Sequence, residues 1–215
     1  MILIKNGYVL TMEHEEYSCG YIIIEDGKIK ATGNMSELPF ADSTFESVVD
    51  ASCHYVCPGF IDSHCHVGMW EDSMDFEGAD GNEDTDPTTP HLRAIDAINP
   101  FDRAFRDALN SGITTVVTGP GSANPVGGQF AALKTYGTCV DDMIIKAPVA
   151  MKFALGENPK TTYHAKNQAP VTRMGTVALI RELLIKAKNY KEDLDSYLAD
   201  TEEKDKPDYD FKLES

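Results

Sequence analysis

The sequence predicts an α/β protein in which a short β-rich segment precedes a larger domain of alternating strands and helices. Residues 1–56 contain β-branched runs bounded by turn residues, which indicates strands. Beyond residue 57, β-branched segments alternate with helix-like segments, and this alternation is typical of parallel βαβ units. The hydrophobic share of 42% is enough for a packed core. We therefore expect two domains, covering residues 1–56 and 57–215.

The first segment contains a clear hairpin with one predicted strand before it and one after it. The opening ILIKNGYVL is interpreted as a short strand with a turn at Asn6-Gly7, and FESVVDA as a weaker strand. Between them, YIIIEDGKIKATG turns at Asp26-Gly27, where both residues tolerate the positive φ of a two-residue turn. A segment with only these few strands cannot close a core by itself. We therefore expect the strands to lie on another element or to be completed by further strands.

The second segment begins with VCPGFIDSHCHV, which is interpreted as a strand of the buried type. Residues 71–90 follow as a polar, strongly acidic loop. The stretch NPFDRAFRDALNSG predicts a helix with Asn99 as the N-cap, Pro100 as the first helical residue and Gly112 as its end. The β-branched ITTVVTG comes directly afterwards and predicts a strand.

Two further strands and a second helix are predicted after a glycine-rich loop at 119–128. The strand candidates are QFAALKTYG and APVAMKFALG, and the last should run to about Leu155. A helix over about 172–200 can be capped by Thr172. Its apolar stripe, which we expect to face the core, consists of Val177, Ile180, Leu183 and Leu184.

The number of strands sets a limit on the architecture of the larger domain. About four strands are predicted after residue 57. A complete (β/α)₈ barrel takes roughly 250 residues. If this domain is a barrel, about half of it is therefore absent from the sequence.

Charge and cysteine content exclude several classes of partner. The net charge of −16 argues against nucleic acid and against an anionic membrane surface, since both are bound by clustered Lys and Arg. No apolar run reaches the length of about 18 residues that a membrane span needs. Five cysteines are an odd number in a chain too large to need disulfides, so we expect reduced thiols and a cytoplasmic location.

The pattern that points most directly to chemistry is His64-Cys65-His66 at the end of an apolar strand. Residues two apart on a strand share a face, so the two imidazoles point the same way and Cys65 points opposite. Two imidazoles a few ångströms apart can bind one divalent metal, and imidazole suits zinc. Asp62 shares this face and could orient a histidine through its second ring nitrogen. The alternative is a pair of ordinary histidines without a ligand.

The stretch PGFIDSHCH resembles the PGFID-x-H-x-H motif of the amidohydrolase superfamily, whose members are metal-dependent hydrolases. KNGYVLTM, EDGKIKATG and VVDA are similar to the small β-sandwich that precedes this motif, and GITTVVTGPGSANPVGG to the second barrel strand and its loop. APVAMKFALGENPK resembles the group near the imidazolonepropionases. The resemblance implies a partial (β/α)₈ TIM barrel preceded by a small β-sandwich segment.

The resemblance also implies the chemistry. One or two divalent ions, with zinc the first choice, would activate a water that hydrolyses a C–N bond of a small amide or cyclic amide. His64 and His66 map to the first two metal ligands. A bridging ligand is expected from a later strand: Glu157 is preferred because it would lie at the strand's upper end, and carbamylated Lys152 is the alternative. No catalytic residue is expected within this chain, because the proton-shuttling aspartate belongs to an absent C-terminal half.

Two alternatives to this enzyme remain open. One is a structural zinc site with the ligands Cys53, Cys57, His64 and His66. The other is an inactive fragment or scaffold of amidohydrolase ancestry. A half barrel exposes unpaired strand edges, so we expect this chain to form a homo-oligomer or to need its missing C-terminal half.

Overall fold

The protein is a mixed α/β structure with two β-sheets. The computed structural model describes residues 1–13, 15–72, 74–199 and 207–215. These residues divide into two compact units, Met1–Gly59 and Phe60–Ser215, each with its own sheet.

The first unit is built on a five-stranded sheet. Strand β1 pairs antiparallel with β2 and parallel with both β4 and β5, and β2 pairs antiparallel with β3. Asp26 and Gly27 join β2 to β3 with φ values of 51° and 72°, which confirms the predicted hairpin. The strands are β1 (Ile2–Leu10), β2 (Glu16–Glu25), β3 (Lys28–Asn34), β4 (Ser47–Asp50) and β5 (Tyr55–Val56).

The predicted turn at Asn6-Gly7 is wrong, because β1 runs through both residues as one strand. Asn6 has a φ of 64°, and the pairing register with β2 shifts between Lys5 and Gly7. These features describe an irregularity of the β-bulge type within the strand. The side-chain Nδ2 of Asn6 donates a 3.0 Å hydrogen bond to the carboxylate of Asp50. This contact holds the irregular residue against the end of β4.

The second unit is built on a four-stranded sheet in the order β6-β7-β8-β9. The strands are β6 (Phe60–Cys65), β7 (Ile113–Thr118), β8 (Val126–Lys134) and β9 (Ile144–Phe153). Strands β6 and β7 are parallel as predicted, but β8 is antiparallel to both of its neighbours. The expectation of parallel strands throughout is wrong here, because the loop between β7 and β8 is too short for the crossover that parallel strands need.

Strand β6 is not the buried strand that its apolar sequence suggested. It lies at one edge of the sheet, and Phe60 and Ile61 are 60% and 65% exposed. Its composition is that of a strand covered on both faces, but Phe60 and Ile61 point to opposite faces and both are exposed, so the described residues leave the start of this strand uncovered on both faces.

The α-helices in the described part of the second unit are α1 (Arg103–Asn110), α2 (Val140–Met143), α3 (Glu157–Ala165) and α4 (Arg173–Ala199). Helix α1 starts later than predicted, because Asp102 and not Asn99 is its N-cap. The Asn99 carboxamide closes a turn by accepting from the Phe101 amide, whereas Asp102 accepts from the Ala104 amide. Gly112 follows the helix with a φ of 83°, which confirms the predicted end.

Helix α4 begins where the sequence predicts, after Thr172, whose hydroxyl accepts a 3.0 Å hydrogen bond from the Gly175 amide. Residue 200, included in the prediction, lies outside the described residues. The stripe expected to face the core is only partly buried: Ile180 is buried and Leu183 half-buried, but Val177 and Leu184 are exposed. An apolar stripe is buried only where a second layer lies against it, and the described residues supply that layer only near Thr176 and Ile180.

The core of the second unit lies on one face of its sheet, under α1 and the segment after β6. Alternation along β8 places Ala131 and Leu133 in this core and Phe130 on the opposite face. Within the described ranges, no helix is long and apolar enough to cross a membrane. The core residues are Met69, Ala94, Ile98, Phe105, Val116, Ala131, Leu133 and Met143.

Candidate metal centre

The structure brings the two motif histidines together at the carboxyl end of β6. The ring centroids of His64 and His66 are 5.4 Å apart, and the ring planes meet at 74°. Cys65, between them in sequence, packs against the core on the other face of the sheet. The alternation of side chains on a strand therefore separates the thiol from the imidazole pair.

One contact sets the orientation and the proton position of His66. Its Nδ1 lies 2.7 Å from the carbonyl oxygen of Gly119, the residue directly after β7. A carbonyl oxygen only accepts hydrogen bonds, so Nδ1 must carry the proton. The lone pair of His66 is thereby left on Nε2, as a histidine that binds a metal through Nε2 requires.

The ring of His64 contacts the side chains of Phe130 and Lys152. Its ring stacks on Phe130 with centroids 5.6 Å apart and an interplanar angle of 21°. Its Nε2 lies 3.2 Å from Nζ of Lys152. Partial burial and then the neighbouring charges of Lys152 and His66 lower the pKa of His64, while Asp62 opposes this shift. Neutral imidazole, the form that binds a metal, is therefore favoured at this position.

The carboxylate of Asp62 has a different partner from the one predicted. Its Oδ1 accepts a 3.2 Å hydrogen bond from the backbone amide of His64. The second nitrogen of His66 is already bonded to the Gly119 carbonyl. Asp62 therefore holds the backbone of the motif, and a backbone carbonyl takes the orienting role expected of it.

The two candidates for a third ligand occupy different positions. Lys152 is the penultimate residue of β9, is half-buried, and has a pKa lowered by that burial. Its ammonium group lies 5.9 Å from the centroid of the Phe130 ring. Glu157 lies beyond the strand, in the first turn of α3, and is exposed. The structure thus places Lys152 in contact with His64.

Aromatic side chains that the sequence reasoning did not select surround the histidines. The edge of Trp70 meets the His66 ring with centroids 5.2 Å apart and an interplanar angle of 76°. Phe130 lies under both imidazoles, with its centroid 6.4 Å from that of His66. Trp70 could have been selected from the sequence, because it is the one tryptophan and lies four residues after the motif. Phe130 could not have been selected, because its contact with the histidines depends on the register of β8.

Among the residues that the structure describes, no group of three or more His, Cys, Asp or Glu side chains is placed to hold a metal ion. The donors gathered here are two imidazoles and the amine of Lys152. The alternative zinc site with Cys53 and Cys57 takes two of its four ligands from the first unit and stays a prediction.

The glycine-rich loop and the acidic loop are joined by backbone hydrogen bonds. The amide of Gly121 donates to the carbonyl of Gly81 at 2.8 Å, and the amide of Val126 donates to that of Pro87 at 3.3 Å. Ion pairs of Lys166 with Asp84 and of Lys212 with Asp86 neutralise part of the acidic loop. The glycine-rich loop, whose first residue orients His66, is thus held by a second loop.

This chain is similar to a solved structure and to several curated relatives. The crystal structure of an amidohydrolase from Thermotoga maritima MSB8 aligns with a TM-score of 0.86 and 40% identity, over 100% of this chain and 54% of that one. Amidohydrolase tasK from Hapsidospora irregularis is 30% identical over 172 residues, which are 73% of this chain and 17% of the relative. An adenine deaminase from Listeria monocytogenes serotype 4b (strain F2365) is 28% identical over 187 residues, which are 85% of this chain and 26% of the relative.

The chain therefore spans about a quarter or less of these two curated relatives and about half of the solved structure. No family model matches the sequence.

Proposed function

Because the chain belongs to the amidohydrolase superfamily, we propose that its second unit carries the first metal ligands of an enzyme that hydrolyses a carbon–nitrogen bond in a small molecule. The observation that carries this proposal is the hydrogen bond from His66 Nδ1 to the Gly119 carbonyl, with His64 beside it. This contact leaves Nε2 of His66 unprotonated, and imidazole nitrogen is a preferred ligand of zinc.

The donors present suit a divalent metal, and we propose zinc, as one or two ions. When bound, the metal would lower the pKa of a coordinated water to about 7 and polarise the scissile carbonyl. The residues of this chain have the supporting roles. The Gly119 carbonyl holds the His66 ring, Phe130 packs against His64, and Trp70 packs against His66. The proton-shuttling aspartate expected from the resemblance stays a prediction, as does the likeness to the imidazolonepropionase group.

For the third ligand we propose Lys152, with Glu157 as the alternative outcome. Its Nζ lies 3.2 Å from His64 Nε2, and burial lowers its pKa, which favours the neutral amine. The neutral amine is also the form that takes up carbon dioxide to become a carbamate. We expect Lys152→Ala to weaken zinc binding more than Glu157→Gln does, and ¹³C-bicarbonate to give a carbamate NMR signal that Lys152→Ala abolishes. The opposite ranking would assign the ligand to Glu157.

The substrate class follows from the relatives only in outline. A small amide or cyclic amide is the first proposal. The name of the Listeria relative, adenine deaminase, favours an amino group on a heterocycle as a second candidate. Both are carbon–nitrogen bonds, and turnover assays with the two classes distinguish them. The free thiols of Cys19, Cys53, Cys57 and Cys139, all exposed, support a reducing, cytoplasmic location.

We further propose that the four strands are part of a barrel closed by additional strands of a longer polypeptide. Strands β6 and β9 lie at the two edges of the sheet, and such edges need covering. The match to 54% of the Thermotoga maritima structure supports closure by the same chain over a homo-oligomer. Intact mass and native mass of the purified protein test this. A folded species made only of 23.6 kDa chains, in one copy or several, would contradict it.

The decisive experiment for the metal centre compares His64→Ala and His66→Ala with His164→Ala. Each motif variant should lose bound zinc, measured by elemental analysis after equilibration at a fixed free-zinc concentration. His164 is an exposed imidazole near the end of α3, so its variant controls for non-specific binding by histidine. Cys53→Ser and Cys57→Ser should keep zinc, whereas a structural zinc site would lose it. Retention of zinc by both motif variants would remove the assignment.

A further inference from the structure

A buried polar network lies behind the glycine-rich loop, away from the histidines. It is built from Tyr163 of α3, Asn124 of the loop and Thr89 of the acidic loop, which are 0%, 2% and 3% exposed. Three polar side chains buried this fully require hydrogen-bond partners, since an unpaired buried polar group costs about 1–3 kcal/mol.

Every polar atom of the Asn124 side chain has a partner. Its Oδ1 accepts a 2.8 Å hydrogen bond from the hydroxyl of Tyr163. Its Nδ2 donates to the carbonyl of Glu83 at 2.6 Å and to the hydroxyl of Thr89 at 3.0 Å. The carbonyl of Glu83 only accepts, so the amide nitrogen must face it, and this fixes the orientation of the carboxamide.

The two partners of Asn124 extend the network in opposite directions. The single proton of the Thr89 hydroxyl faces the carbonyls of Val126 and Gly127, at 3.1 and 3.2 Å, at the start of β8. Tyr163 lies on α3, the helix that begins at Glu157. Burial, followed by the nearby carboxylates of Asp84, Asp86 and Glu83, raises the pKa of Tyr163, so its hydroxyl stays a donor. One side chain thus links α3, the acidic loop and β8.

Asn124 is five residues from Gly119, whose carbonyl orients His66. On the other side of Gly119, the buried hydroxyl of Thr118 donates to the carbonyl of Val67 at 2.8 Å. Gly119 therefore lies between two anchored points. Between these points the amides of Gly121 and Ala123 donate to the Gly81 carbonyl and to Asn82 Oδ1, so the loop that presents the Gly119 carbonyl is held against the acidic loop from Gly121 to Asn124.

We propose that Asn124, held by Tyr163, is a positioning residue of the candidate metal centre: it anchors the loop that presents the Gly119 carbonyl to His66. This inference rests on the proposed function, because it concerns the metal affinity of the same histidines. Groups that orient a metal-binding histidine typically change metal affinity by about 10–100-fold when they are altered.

The test uses Tyr163→Phe and Asn124→Asp in the full chain, with Thr176→Val as the control. Tyr163→Phe removes one buried hydroxyl and keeps the ring, and Asn124→Asp removes both donated hydrogen bonds. Thr176→Val also removes a fully buried hydroxyl, one that donates to the Thr172 carbonyl at 3.1 Å in α4. Circular dichroism establishes which variants fold, and a folded Tyr163→Phe decides the question if Asn124→Asp does not fold.

Two measurements are made on each variant. In the metal-free protein, NMR of ¹⁵N-histidine reports hydrogen exchange of the His66 Nδ1 proton, which should accelerate in Tyr163→Phe and not in Thr176→Val. Competition with a chelating dye reports zinc affinity, which should fall about tenfold in Tyr163→Phe and stay unchanged in the control. A folded Tyr163→Phe with unchanged zinc affinity overturns the proposal. A wild-type chain that binds no zinc refutes the proposed function instead, and the exchange rates then still show whether Tyr163 and Asn124 position His66.

Discussion

The Nδ1 atom of His66 lies 2.7 Å from the carbonyl oxygen of Gly119, a residue 53 positions further along the chain. The backbone at the end of β7 thereby fixes which ring nitrogen is free on His66, the histidine at the end of β6. Gly119 itself is packed tightly, because a Cβ at its position would lie 2.3 Å from the ring of Phe130.

Replacing Gly119 with alanine should therefore destabilise the fold. We expect Gly119→Ala to lower the free energy of unfolding by about 1–3 kcal/mol, the usual cost of overpacking, when measured by urea denaturation. Gly156→Ala is the control, since an added Cβ there meets nothing within 4 Å. Equal effects of the two substitutions would show that the close approach to Phe130 is unimportant.

Replacing Lys152 should change the titration of His64. The positive charge of Lys152 is the second cause, after burial, of the lowered pKa of His64. Removal of a positive neighbour makes protonation easier, so Lys152→Met should raise the pKa of His64. Histidine NMR titration of the metal-free protein measures this. Lys146→Met, at an exposed position of the same strand, should leave it unchanged. A fall in the His64 pKa in Lys152→Met would contradict the contact.

Asp102 should contribute more to stability than an ordinary helix cap. Its carboxylate is buried and accepts from the amides of Ala104 at 2.9 Å and Gly68 at 3.0 Å. Asp102→Ala removes a cap and leaves the Gly68 amide unpaired, so we expect a loss of about 2–4 kcal/mol. Thr172→Ala removes one exposed cap of α4 and should cost about 1 kcal/mol in the same assay. A ranking with Thr172→Ala the more harmful would refute this account.

Asp50 should make the first unit sensitive to acid. Hydrogen bonds from the Ser52 hydroxyl, the Asn6 side-chain amide and the Ser52 backbone N–H lower the pKa of its carboxyl from 3.8 to about 2. Because the folded-state pKa is the lower one, this contribution is present above pH 3.8 and is lost as the pH falls towards about 2. Unfolding measured across this range should show a steeper loss in the wild type than in Asp50→Asn. Parallel curves would mean that Asp50 is not involved.

Short-range patterns in the sequence determined much of the local structure. The hairpin at Asp26-Gly27, the end of α1 at Gly112 and the start of α4 after Thr172 are all confirmed. Each depends on the φ preference or hydrogen-bonding capacity of a few adjacent residues. The same holds for His64 and His66, since the alternation of a strand is a property of neighbouring residues.

The tertiary structure decided which distant groups meet. The short loop before β8 is a local feature that favours its antiparallel direction, but nothing local in the sequence indicated that Asp102 would replace Asn99 as the cap or that half of the α4 stripe would stay exposed. Lys152 contacts His64, which lies 88 residues earlier in the sequence. It does so because the register of β9 against β8 sets the position of Lys152 along its strand. Strand register is a property of the assembled sheet, so a side chain's neighbours across the sheet cannot be deduced from the residues beside it in sequence.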